Sequence, residues 1–253
     1  MIASVQKAMR ILSAIADGAP EPVPLCEIAK AVNINKATCS HIVDTLMQEG
    51  FLVRISSSRG YVLGPAAYCL TGFERYGRDL ISTTRPVMQY LYKTLGYCVV
   101  LAVIEGSTKY VIDYIDDGTI FEKKEKIRRD DIYRTATGRA ILENMSDSEL
   151  MAVWEKYGKP SQKEWAEIET FEDLLRYKST SSSRTVTVTR AEGEDGAVNI
   201  GYGAPIFRGM TCVGAIGIAV KLKKNEEKAF LSKEQPKIES LLQKGAFTIS
   251  ERL

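Results

Sequence analysis

Apolar residues in the first quarter of the chain recur first at helical and then at alternating spacing. Val5, Ala8, Met9, Leu12, Ile15 and Ala16 share one side of a helix predicted over 5–17, because positions three and four apart stack on one face. Ser4 is placed to cap that helix, Gly18 ends it, and Pro20 and Pro22 keep the next stretch extended. A second short helix is predicted over 24–32 with Leu25, Ile28, Ala29 and Val32 inward. After a tight connection at 33–35, a third begins with Asn35 as its cap and ends at Gly50. Ile34 and Cys39 can form a hydrophobic staple, and Cys39, Ile42, Val43 and Leu46 make its core side. Two short β-like runs, "FLVRI" and "GYVL", flank "SSSRG" as a hairpin. Three short helices and a hairpin within 65 residues outline a winged helix-turn-helix.

The pattern then changes. Residues 64–96 read as helical, with a break or new first turn expected at Pro86. "YCVVLAVIE" is a continuous apolar run, as in a sheet covered on its faces, and "KYVIDYID" alternates after the turn "GST". The charged stretch 121–131 reads as a solvated strand and loop. Helices are predicted over 135–144, 147–157 and 165–177. "RTVTVTR" has the period of two of a half-buried strand, and "VNIGYGAPIF" and "CVGAIGIAV" flank "RGMT" as a hairpin. A last helix over 233–250 carries Ile238, Leu241, Leu242, Ala246 and Ile249 on one side. Helices against one sheet make the second half α+β, with the boundary near residue 78.

Composition excludes more than it selects. Of 253 residues 45% are apolar and 26% charged, which suits folded domains rather than a disordered chain. The net charge of +2 neither requires nor opposes a nucleic-acid partner, so any basic footprint is local. Cysteines 26, 39, 69, 98 and 212 are odd in number, irregularly spaced and without a Cys-x-x-Cys pair, which argues for reduced thiols rather than disulfides or a zinc site. Lys7, Arg10 and Asp17 interrupt the N-terminal apolar residues, and no run reaches the ~20 apolar residues of a membrane span. The expected setting is cytoplasmic.

The only histidine, His41, lies in the third predicted helix, "INKATCSHIVDTLMQEGF". Once the core side is removed, Thr38, His41, Thr45 and Gln48 form a polar stripe, with Lys36, Ala37 and Ser40 near its N-terminus. Such side chains can bond base edges, and a threonine methyl can pack on thymine. Lys36 is placed for a phosphate, as is the unpaired helix end beyond Asn35. Arg54 and Arg59 on the hairpin are placed for phosphate or the minor groove. A nucleophilic Cys39–His41 pair is disfavoured, since side chains two apart on a helix point ~200° apart. A metal site would need more ligands than one imidazole offers. The plain alternative is a solvated polar face.

These segments resemble the IclR family of bacterial transcription regulators. "SVQKAMRILSAIADG", "LCEIAKAVNINKATCSHIVDTLMQEGFLVR" and "GYVLGP" are similar to the family's N-terminal domain, "YRTATGRAIL" to its effector-domain signature, and "GYGAPIF" and "GAIGIAV" to its last two strands. The resemblance implies a winged helix-turn-helix over 1–63, a linker helix over 64–78, and a GAF- or PAS-like α+β effector-binding domain over 79–253. It also implies a homodimer or homotetramer on a palindromic double-stranded operator, with a small-molecule effector and no cofactor. Ala37 and His41 stand where many members carry Ser and Arg, which leaves the docking mode and changes the bases read.

Where members that bind small oxoacids present a strand cysteine and two hydroxyls, Gly201, Gly217 and Ala219 stand here, and a family acidic residue falls at Thr189 or Arg190. Thr135, Ala136 and Thr137 keep the turn before Gly138, at a helix start that suits a carboxylate. Smaller side chains imply an enlarged, less polar cavity for a bulkier carboxylate or aromatic ligand, lined also by Ile120, Tyr133, Tyr202 and Arg190. For Gly201, Gly203, Gly214 and Gly217 the alternative is backbone accommodation in a twisted sheet. The expected function is a ligand-responsive regulator, more a repressor than an activator. Its rivals are an enzyme with an accessory winged helix, for which no phosphate loop, nucleophile elbow or metal motif is present, and a protein-binding adaptor.

Overall fold

Ile11 and Ile15, both buried, turn the first helix, α1 (Ala3–Gly18), onto α2 (Leu25–Val32) and α3 (Lys36–Gln48). This computed structural model describes residues 2–18, 21–56, 60–71, 78–116, 132–181, 185–193 and 195–253. Arg59, Ile120 and the charged stretch 121–131 lie outside the described residues. The chain divides into two compact units, the second starting at Asp79.

In the first unit, Ile28, Ala29 and Val32 of α2 and Cys39, Val43 and Leu46 of α3 meet Ile11 and Ile15 in one core with Leu52 and Tyr61. Fully burying an aliphatic side chain of this size contributes ~1.5–3 kcal/mol. Asn33, with φ 55°, makes the left-handed turn between α2 and α3, a conformation asparagine tolerates. β1 (Leu52–Ser56) and β2 (Gly60–Leu63) pair antiparallel, with Arg54 opposite Tyr61. Val23 pairs with Tyr61 as a third rung, its N–H donating to the Tyr61 carbonyl at 2.9 Å. The short helix α4 (Pro65–Thr71) follows.

The first helix departs from its predicted face. Ile11, outside the expected set, is fully buried, whereas Val5 and Met9 are 52% and 59% exposed. The helix carries two adjacent apolar stripes, and only the one through Ile11 and Ile15 fits α2 and α3. Ser4 lies inside the helix rather than at its cap.

The second unit opens with α5 (Arg78–Leu95), which runs through Pro86 without the expected break. Proline removes a hydrogen bond to the carbonyl four residues earlier. Here that residue is Ser82, and both Ser82 and Pro86 are exposed, so water can take up the freed carbonyl. Five antiparallel strands, β3 (Cys98–Glu105), β4 (Thr108–Ile115), β5 (Thr187–Glu192), β6 (Ala197–Arg208) and β7 (Thr211–Lys223), form one sheet in the order β4-β3-β7-β6-β5. Between β4 and β5 come α6 (Ala136–Leu142), α7 (Asp147–Tyr157), α8 (Gln162–Trp165) and α9 (Phe171–Thr180). The chain then ends in α10 (Glu227–Lys233) and α11 (Gln235–Ser250). The helix predicted over 165–177 is two, because Thr170 and Asp173 form a capping box that starts α9 afresh.

Strand alternation sorts the sheet's side chains between two cores. On one face Val99, Leu101, Ile200, Tyr202, Ile216 and Ile218 meet Met88 and Leu91 of α5 and Ile238, Leu242 and Ile249 of α11. On the other, Ala102 and Ala215 meet α6, α7, α8 and α9. Here α6 approaches closely. A Cβ on Gly203 would lie 2.4 Å from the Ala136 carbonyl oxygen, and one on Gly217 would lie 2.4 Å from Thr137 Cγ2. Gly203→Ala should therefore force α6 off the sheet, at ~1–3 kcal/mol for overpacking and ~2–4 °C per kcal/mol for a domain of this size. Calorimetry should find the unfolding midpoint lowered by several degrees; an unchanged midpoint would contradict this packing.

Candidate nucleic-acid interface and ligand face

Asn35 fixes the start of α3: its side chain accepts a hydrogen bond from the Thr38 N–H at 2.8 Å, satisfying a donor the helix leaves unpaired. Cys39, Val43 and Leu46 then face the core. Burial pushes the Cys39 thiol up, which suits a packing role and not a thiolate. Lys36, Ala37, His41, Thr45 and Gln48 are exposed, and Thr38 and Ser40 are half-buried at the margin. Cys39 and His41 thus lie on opposite sides of the helix. The Thr45 hydroxyl donates to the His41 carbonyl at 3.0 Å. Asp44, absent from the predicted set, is exposed on this same side. On β1, Arg54 is exposed and its guanidinium lies 5.8 Å from the Tyr61 ring centre, a cation–π contact. Among the described residues no group of three or more His, Cys, Asp or Glu could hold a metal.

In the second unit the strand register places Cys98, Ala219, Gly201 and Thr189 side by side across the sheet. A parallel row holds Tyr114, Val100, Gly217, Gly203 and Thr187. Both rows lie on the α6 side, and Ala136 and Thr137 cover the glycines of the second. Val100, Ala219, Gly201 and Thr189 remain half-buried, with the start of α6 as a wall. The structure therefore brings together Thr135, Ala136, Thr137, Gly201, Gly217 and Ala219. It does not show the enlarged cavity expected at Gly217. That space holds Thr137 Cγ2, so the glycine accommodates the helix.

Three expected ligand contacts lie elsewhere. Tyr202 points into the core on the α11 side, 1% exposed, and burial pushes its phenol up to about 12. Arg190, opposite Ile200 in register, faces that side too and holds Glu227 of α10, with Nη2 to Oε2 at 2.9 Å. Adjacent strand residues point to opposite faces, so neither Tyr202 nor Arg190 can share a surface with Gly201. Tyr133 is buried among Tyr157 and Trp165 and donates to the Gly158 carbonyl at 3.1 Å. It supports the α6 turn.

The motif "YRTATGRAIL" has a mechanical meaning. Thr135 caps α6, its hydroxyl oxygen accepting from the Gly138 N–H at 3.2 Å. A Cβ on Gly138 would lie 2.1 Å from the Ile132 carbonyl oxygen. Arg139 donates from Nε to the Tyr133 carbonyl at 2.8 Å and from Nη2 to the Glu164 carbonyl at 2.6 Å, and stacks 4.0 Å from the Trp165 ring centre. Glu143 accepts from Tyr177 at 2.8 Å and Thr187 at 2.9 Å, tying the end of α6 to α9 and β5. Burial pushes the Glu143 carboxyl up, against these bonds and Arg139.

Lys109, missed in the sequence reading, is 2% exposed and donates from Nζ to Thr135 Oγ1 at 2.7 Å. Its one sequence signal is its place on the same side of β4 as Val111, the inward parity of an alternating strand.

A recognition-type α3 beside a winged hairpin, and a five-stranded α+β unit with a capped helix over glycine rows, define a two-domain sensor-regulator class. Models of the IclR helix-turn-helix domain and of the bacterial transcriptional regulator IclR C-terminal domain match residues 4–56 and 76–251. The chain belongs to the IclR family of bacterial transcriptional regulators. It is 21% identical over 160 residues to the acetate operon repressor of Salmonella typhimurium, covering 62% of this chain and 58% of that protein. It is 26% identical over 138 residues to the regulator TtgV of Pseudomonas putida, covering 53% and 51%. The chain thus spans between half and three fifths of the length of these curated relatives, which are transcriptional regulators and not enzymes. The Thermotoga maritima IclR structure superposes with a TM-score of 0.67 at 22% identity, covering 100% of this chain and 99% of that one. An IclR homolog of Microbacterium hydrocarbonoxydans complexed with 4-hydroxybenzoate superposes at 0.72 with 14% identity, covering 99% and 98%.

Loss of the α3 cap should be measurable. Asn35→Ala should lower the stability of the first unit by ~1 kcal/mol and Asn35→Asp by much less, read from urea unfolding of the full chain. Equal losses for the two would mean the side-chain bond is not what holds the helix start.

Proposed function

We propose that this protein is a ligand-responsive transcription regulator, a repressor, that reads a palindromic operator with α3 and senses a small organic acid at the α6 side of its sheet. The observation carrying the DNA reading is the division of α3 into a dry side, with Cys39 fully buried, and an exposed side led by Lys36, Ala37, His41 and Gln48. In this reading Thr38, Ser40, His41 and Thr45 contact base edges, and Lys36 with the capped helix start at Asn35 holds a phosphate. Arg54, together with Arg59, holds the backbone or minor groove.

A second copy is part of the proposal. Ile2, Val5 and Met9 are 70%, 52% and 59% exposed and continue as Leu12 and Ala16, at the alternating three- and four-residue spacing of a helix-pairing seam. A two-fold pair of heads reads two half-sites separated by ~34 Å or a multiple of it. No described helix is long and apolar enough to cross a membrane, in keeping with action on cytoplasmic DNA.

For the effector, the buried ammonium of Lys109 beside Thr135 favours an anion at the start of α6. The family neighbour complexed with 4-hydroxybenzoate is an aromatic carboxylate precedent. The ligand rests on Val100, Ala219, Gly201 and Thr189, with its carboxylate toward Thr135, Ala136 and Thr137. Preferential binding to one arrangement of the two heads is sufficient to change operator occupancy.

Selection from random duplex should enrich one palindromic sequence, with affinity falling steeply between roughly 50 and 200 mM salt. His41→Ala should reduce preference for that sequence over random duplex, and Lys36→Ala should weaken both alike. Binding that ignored salt would favour a protein-binding adaptor instead. Lys109→Met should lose at least about tenfold in affinity for aromatic and aliphatic carboxylates in thermal-shift titration, since charge-assisted hydrogen bonds contribute ~1.5–3 kcal/mol. Their amides should be unaffected. An unchanged response, in a variant whose ligand-free melting is preserved, would remove Lys109 from the site.

A further inference from the structure

The exposed side of α3 carries one carboxylate. With ~100° between successive helix residues, Ala37, His41, Asp44 and Gln48 lie closest to the direction opposite Cys39, Val43 and Leu46. All four are exposed. Asp44 stands about 45° from that direction, as far to one flank as Thr45 does to the other, and nearer to it than Thr38. The residues three and four away from it on the helix are Ser40, His41, Met47 and Gln48, none of them Lys or Arg. No hydrogen bond or ion pair links the Asp44 side chain to another described residue. It is also the only carboxylate in α3.

An unpaired carboxylate on a surface that approaches a polyanion is repelled at every sequence it meets. Guanine offers only acceptors, N7 and O6, on its major-groove edge, and thymine offers the acceptor O4 and a methyl group. Adenine offers an N6 amine, but beside the acceptor N7, which repels a carboxylate; the exocyclic N4 amine of cytosine, flanked by C5–H, is the donor that aspartate accepts from there. A sequence supplying that donor at the right step offsets the repulsion, and the others do not. Asp44 follows His41 by three residues, ~4.5 Å along the helix, which is close to one base-pair step of ~3.4 Å.

We propose that Asp44 is a specificity-determining residue that selects a cytosine next to the base pair read by His41, while lowering affinity for all other sequences. This rests on the DNA-reading role assigned to α3 and goes beyond it by naming one residue and one base.

The test uses the full chain. Duplexes are enriched from a random library with wild type, Asp44→Asn and Asp44→Ala, and each position of the enriched site is then replaced by all four bases. Wild type should show a cytosine preference at the pair adjoining the His41-dependent one. Both variants should lose that preference, by about 5- to 100-fold in discrimination, with other positions unchanged, and should bind random duplex several-fold more tightly. If the variants gain affinity equally for operator and random duplex with an unaltered base profile, Asp44 only repels DNA and the proposal falls, while α3 remains the reader. If wild type enriches no sequence at all, the DNA-reading role itself falls and this proposal with it.

Discussion

The inward packing of Cys39, Val43 and Leu46 is the constraint on which the first unit's chemistry depends. Their contacts with Ile11, Ile15 and Ile28 set the rotation of α3 about its own axis. A helix turned by one residue, ~100°, would present a different set of side chains to a groove. The Asn35 cap sets where the helix starts, and so how far along the groove each side chain lies. Reading bases needs both, because a hydrogen bond fails within a few tenths of an ångström and some tens of degrees.

In the second unit the equivalent constraint is the glycine row. Gly203 and Gly217 remove side chains where α6 crosses the sheet, which lets Ala136 and Thr137 sit against β6 and β7. Arg139, Gly138 and the Thr135 cap then hold the first turn of α6 from the other side. A ligand binding against this turn as proposed would meet a backbone already held on both sides, so little ordering entropy would oppose it. The same crowding explains why small residues at these positions do not imply a large ligand: the space they vacate belongs to the protein's own helix.

The winged head, the α+β second half and most element boundaries were legible because periodicity and caps are local signals. Asn35 and Gly50 around α3, and the alternating runs of β6 and β7, are of this kind. What failed depended on partners far along the chain. Val5 and Met9 read as inward because one helix offered two apolar stripes, and only the packing of α2 and α3 selects between them. Pro86 read as a break because exposure of the Ser82 carbonyl is not a sequence property. Arg190, placed on the ligand face by resemblance, and Tyr202, placed there by the inferred cavity, lie on the other side, as strand parity relative to Gly201 alone requires. Lys109 was passed over because a lysine in an alternating strand ordinarily faces water. The exposed side of α3 is legible from helical spacing, with Lys36, Ala37, His41, Thr45 and Gln48 outside as expected; Asp44 is exposed there too but falls outside a stripe drawn through hydroxyls and amides.

Charge along the head bears on how such a surface would work. Residues 1–63 hold six basic and five acidic side chains, so the head as a whole has little long-range attraction for DNA. Each phosphate contact contributes ~0.9 to the salt dependence of binding to duplex, and α3 brings one cation, Lys36, and the hairpin two, Arg54 and Arg59. Few phosphate contacts mean weak binding by one head to any sequence. If α3 reads DNA as proposed, such a head gains discrimination at the expense of affinity, and joining two heads would restore it. The exposed seam of Ile2, Val5 and Met9 on α1 lies in the same small unit as α3, so a pairing through it would double the phosphate contacts and fix the half-site spacing together. A ligand that altered that pairing would act where the binding free energy is concentrated, with no need to touch the bases that α3 reads.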